Sequence, residues 1–191
     1  MDSENKILLI IDPQVDFITG SLSVGGALET MDALADYIRQ HGDEYRQIIV
    51  TADRHPMNHC SFKRNGGIWP THCVADSVGA AIWQPIMDAL IDFDGDITIL
   101  HKGEKSDKEE YSIFKNEEAT EIIKAIIRKE NIKQIDICGI AGDVCVADSI
   151  RDGAEIFGTE IFRVLPRFTP SIDGGATLSD LIAKLKLSCD R

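Results

Sequence analysis

The sequence has no long apolar run. Its purely apolar stretches, such as Ile7 to Ile11, fall far short of the ~18–20 residues that a membrane-spanning helix needs. Positive charge is scarce too: 20 Lys and Arg stand against 32 Asp and Glu, a formal net charge of -12. A field of that sign repels phosphate backbones and anionic lipid, so neither nucleic-acid nor membrane partners are expected. Paired cysteines are also missing. Cys60, Cys73, Cys138, Cys145 and Cys189 are odd in number and contain no C-x-x-C pair. A disulfide framework is not expected, and any reactive thiol has to be found from its context. No repeat, low-complexity tract or Pro/Gly-rich linker divides the chain, so 191 residues with 43% hydrophobic content read as one domain spanning 1–191. The opening Met1-Asp2-Ser3-Glu4-Asn5-Lys6 is acidic and runs straight into a strand-like segment, which is not a signal-peptide pattern. A cytoplasmic protein is expected.

What is present is an alternation of short β-branched runs with amphipathic stretches. Lys6–Asp12, Gln47–Asp53, Ile97–Gly103, Gln134–Ile140 and Glu160–Pro166 read as strands. They are apolar-dense rather than alternating, as strands covered on both faces are. Met31, Leu34, Ala35 and Ile38 form one helical stripe, and Ala119, Ile122, Ile123, Ile126 and Ile127 another. The second has Glu117 and Glu118 in its first turn and Arg128 and Lys129 in its last, which complements the helix dipole. Further helices are predicted within Gly79–Ile91, from near Gly142 to about Phe157, and through Leu178, Leu181, Ile182 and Leu185. Strand–helix alternation implies a parallel sheet with helices on both faces.

In such a sheet, ligands bind beyond the carboxyl ends of the strands. Those ends deliver Asp12, Asp53 with His55, Lys102 and, after the fourth strand, Cys145. Cys145 lies at a predicted helix start, where the dipole and a nearby Lys102 ammonium favour thiolate, and Asp12 is a candidate proton acceptor. The plainer alternative is a buried Cys, a solvated Lys and an Asp that ends a strand in a turn. A second cluster is Asp53-x-His55-x3-His59, followed by His72. Carboxylate and imidazole suit Zn²⁺, and also Fe²⁺ or Mn²⁺ if waters complete an octahedron. The alternative there is a polar loop with hydrogen-bonded histidines. Phe17, Trp69 and Tyr111 lie in loops near the same rim, as pocket walls or as loop anchors.

The segments Ile11-Asp12-Pro13-Gln14-Val15-Asp16-Phe17, Thr51-Ala52-Asp53-Arg54-His55-Pro56-Met57-Asn58-His59-Cys60-Ser61-Phe62, Trp69-Pro70-Thr71-His72-Cys73-Val74, His101-Lys102-Gly103, Tyr111-Ser112-Ile113-Phe114 and Gly139-Ile140-Ala141-Gly142-Asp143-Val144-Cys145-Val146 together resemble the isochorismatase-like cysteine hydrolases, and within them the nicotinamidases. The resemblance implies a three-layer, Rossmann-like α/β/α fold around a six-stranded parallel sheet. It implies a Cys145–Asp12–Lys102 triad and an oxyanion hole from the backbone of Ala141 and Cys145. Substrate contacts from Phe17, Trp69, Tyr111 and Ile140 and a cis Ile140–Ala141 bond follow as well, with one divalent metal ion, Zn²⁺ first and Fe²⁺ or Mn²⁺ next, on Asp53, His55, His59 and His72. The implied reaction is hydrolysis of nicotinamide to nicotinate and ammonia through a cysteine thioester, a step of NAD salvage. The alternatives are a related hydrolase of another small amide or ureide and a non-catalytic metal-binding protein. The implied partner is a small-molecule substrate, and homo-oligomerisation is left open. This chain departs from the family pattern at Gly142, where a side chain often sits, at Val144, where some members carry a pocket His, and along Pro166-Arg167-Phe168-Thr169-Pro170.

Overall fold

The computed structural model describes residues 5–190; the two ends of the predicted 1–191 span, 1–4 and 191, lie outside it. Six strands form one sheet: β1 (Lys6–Ile11), β2 (Gln47–Asp53), β3 (Asp96–Lys102), β4 (Gln134–Gly139), β5 (Phe162–Val164) and β6 (Ser188–Cys189). Their order is β3-β2-β1-β4-β5-β6, and every neighbouring pair is parallel. The chain winds outward from β1 through β2 to β3, then crosses back to β4 on the other side of β1. The space beyond the carboxyl ends of β1 and β4 is therefore the topological switch point, where open α/β sheets bind ligands.

Among the described residues, six α-helices flank the sheet: α1 (Val15–Ile18), α2 (Ala27–His41), α3 (Gln84–Ile91), α4 (Glu117–Lys129), α5 (Ala147–Phe157) and α6 (Ala176–Leu185). The period-2 geometry of a strand divides β1 between two cores. Leu8 and Ile10 pack with Met31, Leu34 and Ile38 of α2 and Ile86 and Leu90 of α3. Ile7, Leu9 and Ile11 pack with Ile123 of α4, Ile150 of α5 and Leu181 of α6. With both faces covered, an uninterrupted apolar run is what β1 requires. α4 starts as its sequence predicts: the Asn116 side chain accepts from the Ala119 N–H at 3.0 Å, capping the first turn.

Two expectations change. β3 is an edge strand whose outer positions Ile97 and Ile99 are exposed, so it is not covered on both faces. β5 is shorter than Glu160–Pro166 because Pro166 has no N–H for a ladder and opens a 3₁₀ turn over Pro166–Phe168. The helix predicted within Gly79–Ile91 is there as Gln84–Ile91, with Pro85 in its first turn, after a separate 3₁₀ turn over Val78–Ala80. The two-residue β6 is too short to carry a sequence pattern.

Candidate active site

Lys102 ends β3 and is fully buried. Its Nζ lies 2.8 Å from Asp12 Oδ2, 2.6 Å from Asp53 Oδ1 and 3.7 Å from Cys145 Sγ. One ammonium thus joins the ends of β1, β2 and β3 to the segment after β4. Burial alone would strip Lys102 of its proton; Asp12 and Asp53 outweigh that and hold it well above the usual lysine range. Asp53 is opposed by burial but held well below the ordinary carboxylate range by Lys102 and His55. Asp12 goes the other way: burial, with Asp53 nearby, raises it despite Lys102. Asp12 is aimed by Thr51, whose Oγ1 donates to Asp12 Oδ1 at 2.6 Å. The same hydroxyl accepts from the Asp12 N–H at 3.2 Å.

Cys145 sits in a π-helical turn, Gly142–Val146, that runs directly into α5. The Ala141 carbonyl accepts the N–H groups of both Val144 and Val146 at 3.1 Å, which folds the turn tightly around the cysteine. Ile140–Ala141 is a cis peptide bond. Burial pushes the Cys145 thiol well above its usual range, Lys102 opposes it, and the two carboxylates add to the rise. Cys145 Sγ lies within 4.8 Å of an Asp12 carboxylate oxygen, and Asp12 is the raised, more basic carboxylate of the pair.

The second cluster is tied to the first through Asp53. A ligand atom each from Asp53, His55 and His72 lies within 4.8 Å of the others, and all three residues are buried. A short parallel bridge makes this meeting: the His55 N–H donates to the Cys73 carbonyl at 2.9 Å, and the Ala75 N–H to the His55 carbonyl at 2.8 Å. Asp16 in α1 accepts the Cys73 N–H at 2.7 Å and so fixes the residue next to His72. Gln14 locks the end of β2, accepting the Asp53 N–H and donating to the Asp53 carbonyl, both at 2.8 Å.

Tautomers decide which imidazoles suit a metal. His55 Nδ1 faces the Gly103 carbonyl at 2.9 Å and His72 Nδ1 faces the Pro70 carbonyl at 2.7 Å. A carbonyl only accepts, so both rings carry a proton on Nδ1 and turn Nε2 toward the cluster; His55 Nε2 lies 3.5 Å from Asp53 Oδ2, and a cation there would take the place of any proton they share. His59 is placed differently from the expectation. Its Nε2 donates to the Lys108 carbonyl at 3.0 Å, while Nδ1 lies 2.7 Å from Ser61 Oγ and accepts the Ser61 N–H at 3.3 Å. Neither nitrogen is left for a fourth ligand, and the ring stacks on His55 with centroids 4.0 Å apart. A carboxylate and two oriented, neutral-competent imidazoles fit a divalent ion with coordination positions to spare.

Both clusters open into one narrow cavity of about 30 Å³, or about 400 Å³ when the open solvent at its mouth is counted. Phe17, Trp69, Tyr111, Ala141 and Cys145 line it, with Asp53 and His72 at its inner end. Trp69 Nε1 donates to the Tyr111 hydroxyl at 2.9 Å, joining two of the aromatic walls. Ile140 does not line it. That side chain is fully buried against the α2–α3 core, and its part in the site is limited to the backbone bond to Ala141. Two wider surface grooves, of about 1460 and 1060 Å³ with open solvent counted, hold none of the clustered polar residues. Thr51, Gln14, Glu109 and Ile172, the last two also in the cavity wall, were not singled out by the sequence. Thr51 and Gln14 act across strands, so only the β1–β2 pairing gives them away.

Residues 6–162 match the model of the isochorismatase domain. The chain belongs to the isochorismatase family. It is 29% identical over 210 residues to the nicotinamidase of Saccharomyces cerevisiae, covering 95% of this chain and 95% of that protein. The fold superposes on the pyrazinamidase of Pyrococcus horikoshii in complex with zinc, with a TM-score of 0.81, 28% identity and coverage of 98% and 99% of the two chains. PnC1 from L. infantum, in complex with nicotinate, gives a TM-score of 0.81 and 28% identity over 100% of this chain and 94% of that one. Among the described residues, no helix of this family member is long and apolar enough to cross a membrane.

Proposed function

We propose that this isochorismatase-family enzyme is a metal-dependent nicotinamidase of the cytoplasm, with the whole chain, 1–191, as one catalytic domain serving NAD salvage. The observation that carries the reading is the single ammonium of Lys102 touching Asp12, Asp53 and Cys145 at once. It couples a nucleophile and its base to a three-residue cation cluster at the floor of one cavity. The nicotinamidase, zinc-bound pyrazinamidase and nicotinate-bound relatives support the substrate class.

In this reading the amide stands between Phe17 and Trp69. Asp12 takes the Cys145 proton and Sγ bonds to the carboxamide carbon, while the C=O electron pair moves onto oxygen. The backbone N–H groups of Ala141 and Cys145 would receive that oxyanion; removal of one such donor typically costs ~10²–10³ in rate. Collapse breaks the C–N bond, and the proton held by Asp12 leaves with ammonia. Asp12 next takes a proton from water, whose oxygen attacks the thioester and frees the carboxylate and the thiol. Lys102 stays cationic throughout and holds both carboxylates in place. A divalent ion on Asp53, His55 and His72 would supply a Lewis-acidic anchor that orients the ring nitrogen. Ammonia release by the zinc-loaded protein tests the proposal. Nicotinamide should be turned over, and benzamide, which lacks the ring nitrogen, should be a much poorer substrate. Turnover of ureides or aliphatic amides without turnover of nicotinamide would contradict it.

A further inference from the structure

One part of the cavity wall comes from a segment outside both clusters. Ile172 lies in the loop before α6, yet it faces the same space as Phe17, Trp69, Tyr111 and Cys145, with 54% of its surface still open. The loop is fastened to the nucleophile turn. Asp143, two residues before Cys145, accepts the Ile172 N–H on Oδ1 at 3.0 Å and the Asp173 N–H on Oδ2 at 3.1 Å. Next to it, the Gly142 N–H donates to the Pro170 carbonyl at 2.9 Å. Asp173 in turn accepts the N–H groups of Gly175 at 2.9 Å and Thr177 at 2.8 Å, which anchors the far end of the loop on α6. Contact is close because position 142 has no side chain: a Cβ there would stand 2.2 Å from Ser171 Oγ. Hydrogen bonds from two adjacent amides to one carboxylate are charge-assisted and define a single loop geometry.

We propose that Ile172 is a specificity-determining wall over the substrate ring, and that Asp143 is the positioning residue that latches it there. This rests on the amide-hydrolase reading above. An apolar side chain at a cavity mouth loses its remaining exposure when a ring slides beneath it, so it contributes to holding the ring rather than to breaking the C–N bond. Because the latch and the nucleophile belong to one turn, ring fit and sulfur position are set together. The Ser171–Gly142 contact also accounts for the missing side chain at 142, since the loop occupies the space one would fill.

Steady-state kinetics on nicotinamide and its ring-methylated analogues, with amide hydrogen exchange of the 170–175 segment, test this in the metal-loaded enzyme. Ile172→Ala should raise KM for nicotinamide roughly tenfold, change kcat far less, and relax discrimination against at least one methylated ring by about tenfold. Asp143→Ala should reproduce the KM rise and speed exchange at Ile172 and Asp173. Asp143→Asn, which keeps one acceptor, should fall between it and the unsubstituted enzyme. Unchanged KM and unchanged ring preference in Ile172→Ala would overturn the wall. Slow exchange at 172 and 173 in Asp143→Ala would overturn the latch. Absence of ammonia release by the unsubstituted enzyme would sink the nicotinamidase reading instead, and the exchange rates would then decide the latch alone.

Discussion

Asp12 and Asp53 are the same residue type, both buried, both in contact with one ammonium, and they are driven in opposite directions. Asp53 also has His55 beside it, which tips it toward the ionised form, as a cation ligand requires. Asp12 keeps a raised proton affinity, which is what a group that takes and returns a proton needs. The sign of a pH effect follows. Asp12 must be ionised to accept the thiol proton, and its value lies above the ordinary 3.8. The acid limb of kcat/KM should therefore have its midpoint above 3.8, with activity lost as pH falls through it; a limb at or below 3.8 would contradict the role of Asp12. The histidines give a second prediction. His72 offers a free Nε2, whereas both nitrogens of His59 are engaged and its ring only supports His55. Zinc titration should show His59→Ala within the roughly 10–100-fold loss typical of an outer partner, and His72→Ala well beyond it. Equal losses would place His59 among the ligands. The candidate ligands were legible in the sequence as residue types, but not their number, because the Lys108 carbonyl that occupies His59 comes from a distant loop.

Elements with a strong period were the legible ones. β1, β2, β4 and α4 follow the pattern of apolar residues closely, since each is packed on a face that the pattern defines. The strand-end rule then brought Asp12, Asp53, Lys102 and Cys145 to one rim before any contact was known. Connections set by tertiary contacts were illegible: α1, the His55–Val74 bridge, the 3₁₀ turn after β5 and the two-residue β6. Helix α5 shows packing overruling propensity. Ala at position 153 would gain about 1 kcal/mol of helix propensity over Gly. A Cβ there, however, would lie 2.6 Å from Phe162 Cζ and 2.8 Å from Phe114 Cε2, in the core between α5 and the sheet. Overpacking of that kind costs about 1–3 kcal/mol, so the clash wins or at best cancels. Gly153→Ala should lower the urea midpoint; a clear rise would mean that the two rings move aside freely.

Over the whole molecule, the winding order places the Cys145 turn and Asp12 on either side of the switch point, while β2 and β3 bring Asp53 and Lys102 to the same end. The apolar clusters on the two sides of β1 include none of Asp53, His55 and His72, so folding is not expected to need an ion there. Chelation should accordingly abolish most activity while moving the melting temperature little, and added Zn²⁺, Fe²⁺ or Mn²⁺ should restore turnover. A collapse of the melting temperature on chelation would assign the ion a structural part instead. The assignment of Cys145 as the group that bonds to the substrate stands or falls with ammonia release from nicotinamide by Cys145→Ala, with circular dichroism to establish that the fold is kept. A folded protein with no measurable turnover is expected. Substantial residual turnover in a folded, metal-loaded Cys145→Ala would contradict it.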